Sequence, residues 1–273
     1  MKKLPPQPVL PGKKRKPRRR VYTFNEDPAQ LRTAHRMDEQ GTNARKKFEE
    51  NGGTKMPTEK GVRGPSIISE FPGCDRSTAV FPEYMHLILC VIKEFMMLWF
   101  EKKGPWSLKE SDRDMINQFL EGIRVPDFVT RIPKSTLHFT KWKAHELRSF
   151  LIFFSPIIMS RCMKAHYFQH WLLFVSAISL LLQERVPKTD VTKANIMLRM
   201  FCRDFAKLYS AKYYTYYIHN LCHLALLVES SVVMVGKKPG KKPFFPVFFR
   251  FFSRAPRKGT ILENNVLCSI GLM

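Results

Sequence analysis

The stretch FPEYMHLILCVIKEFMMLWF, residues 81–100, constrains the fold more than any other part of this sequence. Between Glu83 and Phe100 the apolar side chains would cover most of the circumference of an α-helix, rather than a single stripe. Such a helix must be surrounded by other elements, because burial of apolar surface is the main favourable term in folding. The stretch therefore predicts a buried central helix whose start carries the polar pair Glu83 and His86.

The sequence after residue 100 supplies helices that could surround this one. Apolar residues recur at the i, i+3, i+4 spacing of a helix, and glycine or proline interrupts the pattern between segments. A second helix is predicted to open with a capping box at Ser107 or Ser111. The helices after it are predicted to cover about 140–156, 165–182, 189–209 and 214–228. Strand patterns are few, so the predicted fold class is predominantly α.

Composition divides the chain into four segments. Residues 1–20 form a basic, proline-rich arm that is expected to be disordered, and residues 21–80 form a mixed, loop-rich segment. That segment predicts a short helix in TNARKKFEEN, stopped at residues 51–53, and a short extended piece at 66–68. Residues 81–229 form the helical domain, and residues 230–273 form an irregular, basic, phenylalanine-rich tail.

Charge indicates a polyanionic partner. The 273 residues include 46 lysine or arginine and 23 aspartate or glutamate residues, a formal net charge of +23. This excess favours binding to nucleic acid first and to an anionic membrane surface second. The run KKRKPRRR is typical of a nuclear import signal or a phosphate-binding arm, although a solvated tail has the same composition. The DNA-binding residues predicted from charge are Lys13, Lys14, Arg15, Lys16, Arg18, Arg19, Arg20, Lys141 and Lys143.

Cysteines and apolar runs limit the class of protein further. The six cysteines form no C-x-x-C pair, which favours a reducing compartment without a disulfide framework. The longest apolar runs, residues 171–182 and the run around Cys90, are shorter than the roughly 20 residues of a membrane span. They are therefore predicted to be buried core helices, and no membrane span is expected.

Two other patterns admit a functional and a structural interpretation. His219, Cys222 and His223 form H-x-x-C-H, a spacing that zinc uses on a helix, but core packing explains the same residues without a third ligand. Trp142, between Lys141 and Lys143, could stack on a nucleic-acid base or anchor the core.

Four blocks of the sequence resemble one family. They occur, in the family's order, between residues 31 and 229. The blocks are RTAH (32–35) with KGVRGPSIISEFPGCD (60–75), EYMHLILCVIKEFMMLWF (83–100), KWKAHELRSFLIFFSPIIM (141–159) with HWLLFVSAISLLLQ (170–183), and YYTYYIHNLCHLALLVE (213–229). Together they resemble the transposases of CACTA-type (En/Spm-like) DNA elements and the proteins derived from them.

This resemblance implies a DNA cut-and-paste recombinase with an RNase H-like core and a helical insertion. Such enzymes hold two Mg²⁺ or Mn²⁺ ions with three acidic residues. Glu83 stands where the family has the aspartate of a D-x-x-H motif, and His86 matches the histidine. The first acid has no counterpart before Arg32, and the last is missing because the sequence departs from the family at Ser230. By resemblance, at most one of three metal ligands remains.

The expected function is that of a truncated, transposase-derived nuclear protein that binds DNA electrostatically without catalysis. No cofactor is expected on this interpretation, and Mg²⁺ or Mn²⁺ would be needed if the protein were active. Two alternatives remain open at this point. One is an active metal-dependent transposase or nuclease subunit with Glu83 as a metal ligand and His86 beside it. The other is a basic protein of the membrane surface.

Overall fold

The computed structural model describes residues 21–26, 32–54, 57–71, 84–126, 129, 131–183 and 185–235, with side chains described up to residue 229. The chain divides into two compact units. The larger one comprises Met1–Phe24 and Glu83–Met273, and the smaller one comprises Asn25–Pro82. Residues 21–24 therefore belong with the helical unit rather than with the loop-rich segment that follows them.

The smaller unit contains one α-helix, α1 (Ala34–Glu50), among its described residues. It is longer than the predicted short helix because the Thr33 hydroxyl caps its start, accepting a hydrogen bond from the Arg36 amide at 3.2 Å. Gly52 and Gly53, at φ +65° and +71°, end it where the sequence predicted a stop. The extended piece predicted at 66–68 is wrong, because a 3₁₀ turn occupies Ile67–Glu70 and the Ser66 hydroxyl caps it.

The larger unit is helical, which confirms the predicted predominantly α fold class for the described residues. Its α-helices are α2 (Tyr84–Phe100), α3 (Glu110–Gly122), α4 (Ala144–Ser149), α5 (Ser155–Cys162), α6 (Ala165–Leu181), α7 (Lys188–Tyr209) and α8 (Tyr216–Val235). A π-helical turn, Phe150–Phe154, joins α4 to α5. Two 3₁₀ turns, Thr136–Lys141 and Ala211–Tyr213, precede α4 and α8.

Helix α2 is central, as its apolar circumference predicted. Phe95, near its middle, is fully buried. The centroid of its ring lies 5.0–6.4 Å from those of Trp99, His170, Trp171, Phe201, Phe205 and Tyr209. Helices α2, α6 and α7 therefore share one aromatic core.

A buried histidine belongs to this core. The Nε2–H group of His170 donates to the carbonyl oxygen of Phe201 at 2.9 Å, because a carbonyl can only accept. Burial lowers the pKa of His170 to about 4, although the hydrogen bond to the Phe201 carbonyl acts to raise it. His170 is therefore a neutral packing residue at neutral pH.

The prediction that Pro156 ends a helix is wrong. Proline lacks an amide hydrogen, and its ring clashes with the carbonyl four residues earlier in a regular helix. Here the preceding turn is widened, since the Ser155 amide donates to the carbonyl of Phe150, five residues back. The helix therefore continues as α5 to Cys162.

Two other predicted boundaries differ from the structure. Neither Ser107 nor Ser111 caps α3, because the Lys109 amide donates to the Asp112 carboxylate at 2.9 Å and the helix begins between the two serines. Helix α8 continues to Val235, so the predicted segment boundary at residue 229 falls inside a helix. Within the part of the chain that the structure describes, no helix has both the length and the apolar character that crossing a bilayer requires.

Candidate nucleic-acid interface

A stretch of positive charge among the described residues lies on residues 131–145, here called the basic loop. It contains four lysine or arginine residues, two histidines and no acidic residue. All six of these side chains are exposed, namely Arg131, Lys134, His138, Lys141, Lys143 and His145. The loop, which ends in the first turn of α4, therefore presents a positive surface to solvent.

Three buried residues that lie between these basic residues anchor the loop to the rest of the helical unit. Thr136, Phe139 and Trp142 are buried at a spacing of three residues along and just after the 3₁₀ turn, which is kinked at His138. The Phe139 ring packs against Phe100 at a centroid distance of 6.2 Å, and the Trp142 ring packs against Phe150 at 5.4 Å. The residues between the anchors consequently point outward.

Helix α3 fixes the loop through Thr136. The Asn117 side-chain oxygen accepts from the Thr136 amide at 2.8 Å and from its hydroxyl at 2.9 Å. The Arg113 guanidinium donates to the Thr136 carbonyl at 2.9 Å and lies over the Phe100 ring, 4.8 Å from its centroid. Thr136, fully buried, thus has its polar groups satisfied, and the loop is held in one conformation.

The nearest acid in sequence does not neutralise the loop from the surface. Glu146 is buried, and its carboxylate accepts from the Lys143 backbone amide at 2.7 Å, closing the first turn of α4. Within the described ranges, no carboxylate forms an ion pair with any lysine or arginine of the basic loop. Among the described residues, these lysine and arginine side chains thus have no carboxylate partner that a bound polyanion would have to displace.

The site residues predicted from the sequence lie in different environments. Lys141 and Lys143 are both exposed, whereas Trp142 is only 4% exposed and its indole N–H donates to the Ser135 carbonyl at 3.4 Å. Of the two interpretations of Trp142, the core anchor is correct. His86 is exposed in the first turn of α2. Glu83 and the predicted DNA-binding residues Lys13, Lys14, Arg15, Lys16, Arg18, Arg19 and Arg20 lie outside the described residues.

Sequence reasoning missed Arg131, Lys134, His138 and His145 as members of the same surface. A signal was present, because no acidic residue occurs between Asp127 and Glu146. The signal was overlooked because lysine, arginine and histidine are spread along this stretch instead of forming one run.

In the H-x-x-C-H pattern the cysteine packs in the core, and the rings of the two histidines contact each other. Cys222 is buried, with its sulfur 3.8 Å from the Tyr214 hydroxyl, while the rings of His219 and His223 meet edge to face at 5.2 Å. Burial lowers the pKa of both histidines, and the charge of His223 lowers that of His219 further. Among the described residues, no group of three or more histidine, cysteine or acidic side chains is placed to hold a metal ion.

Comparison of the chain with protein-family models, with curated proteins and with solved structures gave no match.

Proposed function

We propose that this protein is a transposase-derived nucleic-acid-binding protein that holds the phosphate backbone through charge and catalyses no strand cleavage. The relationship rests on the four sequence blocks that resemble CACTA-type transposases, and the helical unit would correspond to the helical part of an RNase H-like transposase. The binding rests on the basic loop, whose exposed charges are carried by a turn fixed to α3. The arm Lys13–Arg20 would act in addition to it as a phosphate-binding or nuclear import segment.

The basic loop suits a phosphate backbone better than base edges. Lysine and arginine side chains that neutralise phosphates release condensed counterions, which makes binding strongly dependent on salt. Phosphate contacts position a protein on a duplex but carry no sequence information. The anchoring of Thr136 matters here because a loop already held in one conformation loses little entropy on binding. Binding should therefore be electrostatic and weakly selective.

Removal of three charges from the loop is expected to weaken binding without altering the fold. The variant Lys134→Gln/Lys141→Gln/Lys143→Gln changes only exposed side chains. If each lysine contacts one phosphate of duplex DNA, the slope of log K against log salt should become shallower by about 2.7. Fluorescence anisotropy of a short labelled duplex of mixed sequence, titrated at several salt concentrations, measures this slope.

The matched control removes three exposed lysines elsewhere in the same unit, Lys103→Gln/Lys109→Gln/Lys164→Gln. A much smaller change of slope in the control would locate binding at the loop. An equal change in both variants would mean that only the total charge matters, and an unchanged slope in the loop variant would remove the loop from the interface.

The proposed lack of strand cleavage can be tested by nicking of supercoiled DNA. Glu83 stands at the position of one metal ligand, and the other two acids have no counterpart in the sequence. A two-metal mechanism needs ligands for both ions, so neither the wild-type chain nor Glu83→Gln is expected to nick supercoiled DNA in Mg²⁺ or Mn²⁺. Nicking that requires the metal and disappears in Glu83→Gln, a change that preserves side-chain size, would instead establish the nuclease alternative.

A further inference from the structure

Residues 21–24, here called the strap, contact helices α7 and α8 of the larger unit. The Tyr22 amide donates to the Tyr214 carbonyl, just before α8, at 3.1 Å. The Phe24 ring lies against Arg199 of α7, with 5.6 Å between the guanidinium carbon and the ring centroid. The strap is therefore held by a main-chain hydrogen bond and by an aromatic side chain at its end.

The Tyr22 ring begins a row of three rings that continues along α8. It stacks on the His219 ring at a centroid distance of 5.1 Å and an interplanar angle of 24°. The His219 ring in turn meets the His223 ring, one helical turn later, edge to face at 5.2 Å. The Tyr216 ring lies 5.9 Å from that of Tyr22. The two phenols are uncharged in acid, so the histidines are the members of this cluster that gain charge as the pH falls.

The surroundings of His219 suit the neutral form of its ring. Its Nδ1 atom is buried and has no hydrogen-bond partner among the described residues. A neutral imidazole leaves one nitrogen as an acceptor, whereas a protonated imidazole carries an N–H donor at both nitrogens. Protonation would therefore bury a charged donor without an acceptor, which costs free energy.

Neighbouring positive charge acts in the same direction. Burial lowers the pKa of His223, and the charge of the Arg199 guanidinium lowers it further. Burial also lowers the pKa of His219, with a smaller contribution from His223. The charge that each histidine would gain is therefore opposed both by desolvation and by a like charge nearby.

Other charged groups on the neighbouring elements do not offset this repulsion. The Arg203 guanidinium of α7 donates to the Asp204 carboxylate at 2.9 Å, and the Glu94 carboxylate of α2 accepts from the Thr215 hydroxyl at 2.6 Å. Neither of these acids, nor Glu26, which follows the strap in sequence, contributes to the shifted pKa of either histidine. Among the described residues, no carboxylate thus stabilises a proton on the pair.

We propose that the strap is released by acid, remaining attached to α7 and α8 while His219 and His223 are neutral and detaching when they take up protons. Detachment would admit water to the His219 ring at the loss of only the strap contacts. Local opening of this kind costs less free energy than separation of the packed helices. The inference does not depend on the proposed nucleic-acid binding.

The direction of the pH effect follows from the lowered pKa values. A histidine whose pKa is lower in the attached state stabilises attachment above its ordinary pKa of about 6.5, and this contribution is lost as the pH falls below that value. One histidine that stays neutral when attached would change the attachment equilibrium by about 30-fold between pH 7.5 and pH 5. Stacking of a charged imidazole on the Tyr22 ring is weakly favourable, so a smaller change, about tenfold, is expected.

Hydrogen exchange of the full-length chain, followed by mass spectrometry, measures attachment through the Tyr22 amide. Protection factors, corrected for the intrinsic exchange rate at each pH, are compared at about pH 7.5 and pH 5. Protection of the Tyr22 amide is expected to fall about tenfold, whereas the amides of α7 and α8 should keep theirs. The lower pH lies above the pKa of His170, about 4, so the aromatic core remains uncharged.

The decisive variant is His219→Phe/His223→Gln, which keeps a ring for Tyr22 to stack on but cannot be protonated. Its Tyr22 protection should be the same at both pH values. The matched control is His35→Gln/His166→Phe, which removes two exposed histidines away from the strap and should retain the tenfold fall. Equal falls in the decisive variant and the control would overturn the inference.

Two results with the wild-type chain would also overturn it. One is a Tyr22 protection factor that does not change between the two pH values. The other is a loss of protection throughout α7 and α8 together with that of Tyr22, because acid would then be unfolding the helices. If circular dichroism shows that the double variant is unfolded at pH 7.5, His223→Gln alone, which leaves the Tyr22 stack intact, should lessen the fall, and an unchanged fall there would overturn the inference.

Discussion

Truncation of Phe95 to alanine is expected to lower the free energy of unfolding by about 3–5 kcal/mol, the range for removal of a buried aromatic ring. Phe95 is fully buried and its ring contacts aromatic rings from α2, α6 and α7. These neighbours are large and packed against one another, so they can close the resulting cavity only in part. Urea unfolding followed by circular dichroism at 222 nm, a standard helix signal, measures the change in the midpoint.

Met85→Ala, on the same helix, is the matched control. Its side chain is 47% exposed, so its truncation should change stability by less than about 1 kcal/mol. A small effect of Phe95→Ala, comparable to that of the control, would contradict the central position of α2.

Deletion of residues 1–20 is expected to have the largest effect on nucleic-acid binding. The deleted segment holds nine of the 46 basic residues, and seven of them lie in 13–20. If those seven each neutralise one phosphate, the slope of log K against log salt should become shallower by about 6. A protein with that many phosphate contacts loses about 10³–10⁵ in affinity between 50 and 200 mM salt, and the deleted chain should lose far less.

The same measurement on an arm with its order scrambled provides the control, because the charge is unchanged. It should bind with the slope of the wild-type chain if the contacts are electrostatic. A slope that is insensitive to the deletion would show that the arm does not contact the nucleic acid.

The helices were predictable from the sequence because their cause is local. The apolar circumference of residues 84–100 and the regular apolar spacing of residues 165–181 indicate a helix without reference to the rest of the chain. Boundaries failed where neighbouring side chains compete for the same backbone amide groups at a helix start. The Asp112 carboxylate, for example, caps α3 in competition with two serines that fit a capping pattern equally well.

The candidate sites were harder to predict, because their geometry depends on contacts between residues far apart in the sequence. Thr136 is held by Asn117, and the backbone amide of Tyr22 donates to the carbonyl of Tyr214, far along the chain. Periodicity describes one segment at a time and contains no information about such pairs. Lys141 and Lys143 could be identified from charge, and Trp142 as one of two interpretations, but the anchors Thr136 and Phe139 could not.

The π-helical turn at Phe150–Phe154 makes the length of this part of the chain critical. A π-turn amounts to one extra residue within an α-helix, and loss of one residue would restore the regular ladder. It would also rotate the helix after the deletion by about 100° relative to the helix before it. Ser155, whose hydroxyl accepts from the Trp171 indole at 2.9 Å, and Phe150, which packs on Trp142, could then not both keep their contacts. A single-codon deletion here would therefore disrupt packing more than most substitutions at the same positions.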